Sequence, residues 1–432
     1  MPNISAELVN KSILLVNKNN SGYIGTYIVT MRGPVWKKWR NIFNPGFSAG
    51  NLTNLVPSVV KKTGIFISIL EKHSEKQDII KMKNLLDNLT MDIIGQVVML
   101  GERFRFSASI QSNSQRYKKA SSLAIFRGRA KSFHQISPTS TIYTLVLWPK
   151  VDKHISGELQ KHIEAHNQSD SPTNKSVVGL ALKAYESESS QVSQTKSPER
   201  KTDMDPFFKK ICIAQIKLFL FSGHDTTSSS ICYTLYLLSK HPNLLRRVQE
   251  ELDQVFSADR RQISERITQK PALLKEIPYT TAVIRESLRL FPTVSSTCDG
   301  ERDFFVTDSH GRRFPTENFL VWVNPHAVHH TPELWENPDE FQPERWSEDK
   351  RKQIPKGAWR AFEHGARNYI GQVLAMLESK ILVCMVARDF VVRDVYEELE
   401  QPGSVKRVVG ERAYQVQLSQ PAGDLPCRIE RI

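Results

Sequence analysis

Several features of membrane, secreted and zinc-binding proteins are missing from this 432-residue sequence. It has no run of about 20 apolar residues, which argues against a membrane-spanning helix. Its first residues show neither a basic leader nor a long apolar core, so we expect no secretory signal and no transmembrane anchor in this chain. The five cysteines are scattered and form no Cys-x-x-Cys pair. A disulfide scaffold and a zinc finger are therefore not expected.

Basic residues outnumber acidic residues, but they are spread thinly along the chain. There are 59 Lys and Arg residues against 46 Asp and Glu residues, which gives a net charge of +13. The basic clusters are short and lack the interleaved aromatic residues that bind a nucleic-acid strand, so no nucleic-acid partner is predicted. No glycine-rich phosphate loop follows a strand. We expect a cytoplasmic protein, with a peripheral position at the endoplasmic reticulum membrane as the alternative.

The pattern of apolar residues predicts a mainly helical chain with short extended pieces towards the end. Apolar residues at helical spacing indicate core-facing helices over 50–100. Stretches rich in Ser, Gln and Lys at about 165–175 and 186–204 predict two mobile surface loops, one on each side of a short helix over 177–185. Two apolar strands flank a glycine-containing turn within 303–323, which predicts a hairpin.

Residues 206–240 are apolar nearly all round, as is typical of a helix that crosses a protein centre. The middle of this segment nevertheless reads Ser222-Gly223-His224-Asp225-Thr226-Thr227. Glycine alone weakens a helix by roughly 1 kcal/mol, and the hydroxyls can bond back to carbonyls one turn earlier. Two interpretations stay open, namely a bend with satisfied hydroxyls or a groove in which an acid and an alcohol pass protons to a ligand.

Two further segments contain candidate site residues. Glu286 and Arg289 lie three residues apart on one face of a predicted helix, among apolar neighbours that predict a buried pair. A loop with glycine and arginine leads directly into a long apolar helix near residue 371, which is typical of a ligand-presenting loop. His326, His329 and His330 are an alternative metal cluster, but no carboxylate stands at ligand spacing.

Four ordered motifs together resemble the cytochrome P450 superfamily of haem-thiolate monooxygenases, most closely its filamentous-fungal branch. The motifs are Trp36-x-x-x-Arg40, Ser222 to Thr227, Glu286-x-x-Arg289 with Pro343-Glu344-Arg345-Trp346, and Phe362-x-x-Gly365-x-Arg367-x-Tyr369-x-Gly371. The resemblance implies a mainly α, P450-like fold with a small β portion, a single domain over residues 1–432, and haem as the cofactor.

The resemblance also implies roles for individual residues. Trp36, Arg40 and Arg367 correspond to groups that bind the haem propionates. Asp225 and Thr226 correspond to the proton-delivery pair of the oxygen-activating groove.

A buried structural triad is implied as well. Glu286, Arg289 and Arg345 correspond to the family's Glu-Arg-Arg arrangement, which locks the haem-loop region into the core. A role in maintaining the fold explains such a triad, and a role in catalysis is the alternative explanation.

The largest departure from the family pattern is Tyr369, which stands at the position of the cysteine that ligates the haem iron. A tyrosine hydroxyl lies roughly 3 to 4 Å further from the backbone than a cysteine sulfur, so its ring would collide with a haem in the usual place. Forming phenolate at pH 7 costs roughly 4 kcal/mol, although Arg367 and ferric iron would reduce that cost. We therefore predict an altered or absent iron ligand at this position.

Two other departures concern haem binding and the start of the chain. Cys298 stands about where the family usually places a propionate-binding arginine, so haem would be held less tightly. Only 35 residues precede Trp36. This is fewer than in the family, so the resemblance implies an N-terminally incomplete fold.

The resemblance implies relationship to enzymes that oxygenate small lipophilic natural products with electrons from an NADPH-dependent reductase. We predict that this chain is impaired in that oxygenation because of Tyr369. One alternative is a functional haem enzyme with phenolate or water on the iron. The other is a non-catalytic scaffold in a biosynthetic pathway.

Overall fold

The architecture was obtained as a computed structural model. It describes residues 27–99, 153, 155–161, 163–164, 176–192, 205–259, 262–308, 310–399 and 420–432. These fall into two compact units. The first comprises the described parts of Met1–Asn51, Ile94–Ser222 and Thr297–Val321, and the second comprises those of Leu52–Ile93, Gly223–Ser296 and Trp322–Ile432.

Helices make up most of the described chain, which confirms the predicted mainly α class. They are α1 (Gly33–Phe43), α2 (Ala49–Thr53), α3 (Val56–Lys76), α4 (Met82–Met99), α5 (Val177–Val192), α6 (Pro206–Lys240), α7 (Pro242–Phe256), α8 (Ile263–Gln269), α9 (Pro278–Leu290), α10 (Pro325–His329), α11 (Glu348–Arg351), α12 (Gln372–Val386) and α13 (Tyr396–Leu399). Short 3-10 turns lie at Asn44–Phe47, Pro271–Lys275, Pro343–Trp346 and Ala422–Asp424.

The strands are short, as the predicted small β portion requires. They are β1 (Ile80–Lys81), β2 (Ser296–Asp299), β3 (Phe305–Thr307), β4 (Arg313–Pro315), β5 (Leu320–Val323), β6 (Phe390–Asp394) and β7 (Pro426–Arg431). In the three-stranded sheet β7 lies between β1 and β6, and both pairs are antiparallel. The pairs β2 with β5 and β3 with β4 form two-stranded sheets.

The core of the first unit is built around aromatic side chains of α1. Trp39 and Phe43 lie four residues apart on one face of the helix and are both buried. Their ring centroids lie 5.3 Å from Phe208 and 5.2 Å from Phe219, respectively, both on the first half of α6. At Gly46 a β-carbon would lie only 2.8 Å from Val177, so glycine permits the close approach of this turn to α5.

The second unit contains the helices that position the candidate site. The helix α9 packs on α7 and α12, while α3 packs on α8, α12 and β7. Leu86 and Val283 are both fully buried, as expected for helices whose apolar residues recur at helical spacing. The buried faces hold these helices rigidly, and the polar side chains described below project from them.

Two predictions about local structure have clear outcomes. The predicted hairpin is confirmed in part, since β3 and β4 pair antiparallel with Val306 opposite Phe314. The predicted loop over 186–204 is wrong at its start because α5 continues to Val192. Polar composition does not distinguish an exposed helical turn from a loop. Residues 193–204 and the other predicted loop at 165–175 lie outside the described residues.

Candidate functional site

The polar segment in the middle of α6 stays helical. Hydroxyl groups on this helix bond back to carbonyls of the preceding turn, with Ser228 Oγ 3.0 Å from Asp225 O and Ser230 Oγ 2.9 Å from Thr227 O. Neighbouring positions on a helix point about 100° apart. Asp225 and Thr226 consequently project in different directions and contact different parts of the second unit.

The Asp225 carboxylate is buried and is held by two side chains. Lys83 Nζ on α4 donates to Asp225 Oδ1 at 2.6 Å. Gln420 Nε2 donates to both oxygens of the same carboxylate, at 2.7 and 2.8 Å. The acid predicted for proton delivery is thus anchored in an ion pair. The sequence alone did not predict that Lys83 and Gln420 bind this carboxylate.

The ion pair extends to a second carboxylate. Lys83 Nζ also donates to Asp87 Oδ1 at 2.9 Å, and Ser228 Oγ donates to the same oxygen. The side chains of Lys83, Asp87 and Asp225 are each less than 10% exposed. The two carboxylates raise the pKa of Lys83 against the lowering effect of its burial. The lysine therefore stays protonated, and it ties α4 to α6 within the second unit.

Replacing Lys83 with methionine is expected to destabilise the chain by about 3 kcal/mol, because two buried carboxylates lose their counter-charge. The free energy of unfolding from urea denaturation measures this loss. Lys81→Met is the matched control, since the Lys81 side chain is 57% exposed and lies 3.6 Å from Asp424. We expect a much smaller loss there. Equal midpoints for the two variants would contradict the stabilising role of Lys83.

Tyr369 lies at the end of a tight loop that precedes α12. Its backbone N–H donates to Phe362 O at 3.0 Å, which closes the loop at its base. Asn368 N–H donates to Gly365 O at 3.1 Å within the loop, and Gly365 has a φ of +85°, a conformation that favours glycine. These contacts direct the Tyr369 side chain towards α6.

The phenol of Tyr369 reaches the polar segment of α6. Its Oη lies 3.4 Å from Thr226 Oγ1, and either oxygen can be the donor. A small cleft lies beside this contact. It is lined by uncharged side chains, namely Thr226, Thr227, Ser230, Leu288, Thr293, Val294, Ala361, Phe362, Tyr369 and Ala375. Thr226 and Tyr369 are thus brought together, whereas the Asp225 carboxylate bonds elsewhere.

This geometry permits a direct test of whether a porphyrin fits between the loop and α6. A flat conjugated ring needs about 3.5 Å of separation from atoms on each of its faces, or about 7 Å between the two walls. The separation between Tyr369 Oη and Thr226 Oγ1 is 3.4 Å. A macrocycle does not fit between these two residues in the described arrangement.

The predicted triad is assembled and buried. Glu286 Oε1 lies 2.9 Å from Arg289 Nη2 and 3.2 Å from Arg345 Nε, and Glu286 and Arg289 are completely buried. Glu286 also accepts hydrogen bonds from Trp346 Nε1 at 2.9 Å and from the backbone N–H of Gln342 at 3.1 Å. These two hydrogen bonds add to the ion pairs of Glu286. A buried carboxylate that lacked such partners would destabilise the fold.

The Arg289 guanidinium also bonds backbone carbonyls at the end of α10 and in the segment after it. It donates to His329 O at 2.7 Å, Pro338 O at 2.6 Å and Glu340 O at 3.0 Å. One buried side chain thereby satisfies three backbone carbonyls and helps to fix the path of this segment.

The three predicted propionate-binding residues lie in different units. Trp36 and Arg40 lie on α1 in the first unit, and burial lowers the pKa of Arg40. Arg367 lies in the loop before Tyr369 and is half-buried. Cys298 lies on β2 and is buried. Their joint role in binding a propionate therefore stays a prediction.

The histidines near residue 326 occupy α10 and the residue after it. His326 and His330 have ring centroids 4.1 Å apart, and the ring of His330 hydrogen-bonds His326 O at 2.8 Å. His329 is completely buried. Within the described ranges no group of three or more His, Cys, Asp or Glu side chains is arranged to hold a metal ion.

All five cysteines are free and buried. Cys212 and Cys232 lie on α6 and Cys384 lies on α12, as the sequence predicts for small core residues. Burial raises the pKa of Cys212 and of Cys427 to about 12. These two groups are therefore protonated thiols at neutral pH.

Comparison with known proteins identifies the family. The family model described as cytochrome P450 matches residues 8–417, and the chain therefore belongs to the cytochrome P450 family. The chain is 37% identical over 419 residues to cytochrome P450 monooxygenase polC of Polytolypa hystricis, covering 94% of this chain and 73% of that protein. It is 30% identical over 410 residues to cytochrome P450 monooxygenase acrF of Aspergillus aculeatus, covering 88% and 79%, respectively.

More distant relatives include proteins from animals. The identity to cytochrome P450 4Z1 of Homo sapiens is 27% over 393 residues, covering 90% of this chain and 74% of that protein. Membership of the family implies haem as the cofactor and a redox partner that supplies electrons. Among the helices of the described chain, none combines the length and apolar character needed to cross a bilayer.

Proposed function

We propose that this chain is a fungal secondary-metabolite type of cytochrome P450 that has lost thiolate-dependent monooxygenation because Tyr369 replaces the cysteine ligand. The similarity to fungal P450 monooxygenases supports the first part of this proposal. The position of Tyr369 in the loop motif supports the second. Enzymes of this type act on small lipophilic natural products, and we propose the same class of ligand for the ancestral pocket of this chain.

The observation that carries the proposal is the contact between Tyr369 and Thr226. The phenol spans the space between the loop and α6, with its oxygen 3.4 Å from the threonine hydroxyl. A haem seated between these segments requires the ring to leave. None of the five cysteines lines the cleft at Thr226 and Tyr369, so no thiol offers an obvious alternative ligand there.

The retained residues are consistent with an inherited framework. In this proposal Trp36, Arg40 and Arg367 are the remnants of a propionate site. Asp225 and Thr226 are the remnants of a proton-delivery pair, and the ion pair of Asp225 with Lys83 gives that acid a structural role.

The cellular setting belongs to the same proposal. Five unpaired cysteines are typical of a reducing compartment. We place the chain in the cytoplasm, with peripheral association at the endoplasmic reticulum membrane as the alternative, and a reductase is its partner only if haem binds.

The test is the absorption spectrum and iron content of the purified wild-type chain after expression with a haem precursor. We expect no Soret band and no stoichiometric iron. A Soret band whose reduced carbon monoxide complex lacks the red shift of thiolate ligation would favour the alternative haem enzyme with phenolate or water on the iron. A red-shifted complex would overturn the proposal. Co-purification of a colourless chain with another pathway enzyme would favour the scaffold alternative.

A further inference from the structure

The ring of His329 connects two backbone segments of the second unit. Its Nδ1 lies 2.9 Å from the carbonyl oxygen of Arg289, the last turn of α9. Its Nε2 lies 2.8 Å from the backbone nitrogen of Arg360, in the segment before the Tyr369 loop. The ring is completely buried, with its centroid 6.3 Å from that of Trp335. Both nitrogens are thus engaged, and solvent reaches neither.

The two partners fix the tautomer of the ring. A carbonyl oxygen can only accept a hydrogen bond, so Nδ1 of His329 must carry the hydrogen. A backbone N–H can only donate, so Nε2 must be the bare nitrogen. Burial and the neighbouring Arg289, His330 and His326 lower the pKa of His329 to about 3. A second proton on the ring would face the Arg360 N–H and remove its acceptor.

His329 and Arg289 exchange hydrogen bonds in both directions. The guanidinium of Arg289 donates to the backbone carbonyl of His329 at 2.7 Å, and the ring of His329 donates to the backbone carbonyl of Arg289. The guanidinium is itself held by Glu286. The position of the His329 ring is therefore set by the buried triad.

The other side of the ring leads to Tyr369 through a short path. Arg360 is two residues before Phe362, whose carbonyl accepts the N–H of Tyr369 at 3.0 Å. The Arg360 side chain pairs with Glu363 Oε2 at 2.5 Å, and Glu363 has a φ of +54°. This left-handed conformation is uncommon for a residue other than glycine, so the segment depends on its surroundings to keep its shape.

We propose that His329 is a positioning residue that, in its neutral Nδ1–H tautomer, links the triad on α9 to the loop that presents Tyr369. The ring holds the Arg360 backbone and thereby fixes where the phenol meets Thr226. This inference rests on the proposed function only in taking Tyr369 as the residue that the loop presents. No metal is involved in the role, because both ring nitrogens already have partners.

The tautomer can be read in the wild-type, haem-free chain. In protein labelled with [15N]histidine, the signals of His329 are those that vanish in His329→Asn. We expect a directly bonded hydrogen at Nδ1, none at Nε2, and no titration between pH 8 and the acid limit of folding, because the pKa lies near 3. A hydrogen at Nε2, or titration near pH 6.5, would overturn the proposal.

The positioning of Tyr369 is read separately, from the ring-carbon signal of [13Cζ]tyrosine that disappears in Tyr369→Phe. In His329→Ala we expect this signal to move, and added imidazole to return it by filling the vacated space. His330→Ala is the matched control, since the ring of His330 contacts His326 O, four residues earlier in the chain. There the signal should stay in place.

Three results would contradict the positioning role. One is a Tyr369 signal that does not move in His329→Ala, and another is an equal movement in His330→Ala. The third is a movement that imidazole leaves unchanged, which would assign the effect to packing alone. A thiolate-type haem spectrum in the wild-type chain would overturn the proposed function and leave these readouts standing, so the two failures are distinguishable.

Discussion

Substituting cysteine for Tyr369 is expected to give a chain that takes up haem, where we expect the wild-type chain to take up none. The change removes the phenol that lies 3.4 Å from Thr226 Oγ1 and so opens the space between the loop and α6. In the proposed function it also supplies a sulfur at the ligand position, two residues after Arg367, whose positive charge would favour a thiolate. The measurements are iron content, the Soret band, and the red-shifted band of the reduced carbon monoxide complex.

Two further variants separate the effect of opening the space from the effect of supplying an iron ligand. Tyr369→Ala opens the same space without supplying a sulfur, so we expect weak haem uptake without the red-shifted band. Tyr369→Phe retains the ring and removes only the hydroxyl, and we expect it to stay colourless. If Tyr369→Cys stays colourless while remaining folded, the block to haem binding lies elsewhere. Tyr369 would then not be the reason for the lost monooxygenation that we propose.

Replacing Glu286 with glutamine is expected to destabilise the chain by about 4 to 5 kcal/mol. Glu286 balances Arg289 and Arg345 in a site where its own side chain is completely buried. Guanidinium groups cannot release a proton at accessible pH, so the positive charges remain without a counter-ion. The expected effect exceeds that of Lys83→Met, because two permanently charged groups lose their counter-ion in a buried site. Urea denaturation measures the free energy of unfolding.

A surface carboxylate gives the matched control for this prediction. Glu348 is 80% exposed on its side chain and lies 3.4 Å from Lys352. Glu348→Gln should leave the midpoint of denaturation unchanged, because exposed ion pairs contribute little. A Glu286→Gln chain as stable as this control would show that the triad is not a stabilising element.

Much of the helical framework could be predicted because its signal is local. The apolar residues of α6 alone indicate its extent, and the polar interruption does not end the helix, since the hydroxyls of Ser228 and Ser230 bond to carbonyls of the same helix. The pairing of Glu286 with Arg289 is equally local, with a separation of three residues. Patterns of this kind are visible in one segment of sequence.

The partners of the site residues could not be predicted in the same way. Lys83 and Asp225 are 142 positions apart, and His329 and Arg360 are 31 positions apart. Contacts of this kind depend on how helices pack, and they leave no periodic trace in the sequence. The spacing of Lys83 four residues before Asp87 was the one local signal for the buried ion pair. The sequence left a metal cluster at these histidines only as an alternative, and the structure gives His329 two backbone partners.

The burial of every native thiol has a practical consequence for experiments on this chain. All five cysteines are shielded from solvent in the folded state. Sulfhydryl reagents therefore distinguish folded from unfolded chains by their speed of reaction, since alkylation needs an exposed thiolate. A single cysteine introduced at an exposed position, such as that of Lys352, can carry a spectroscopic probe without prior removal of the natural ones.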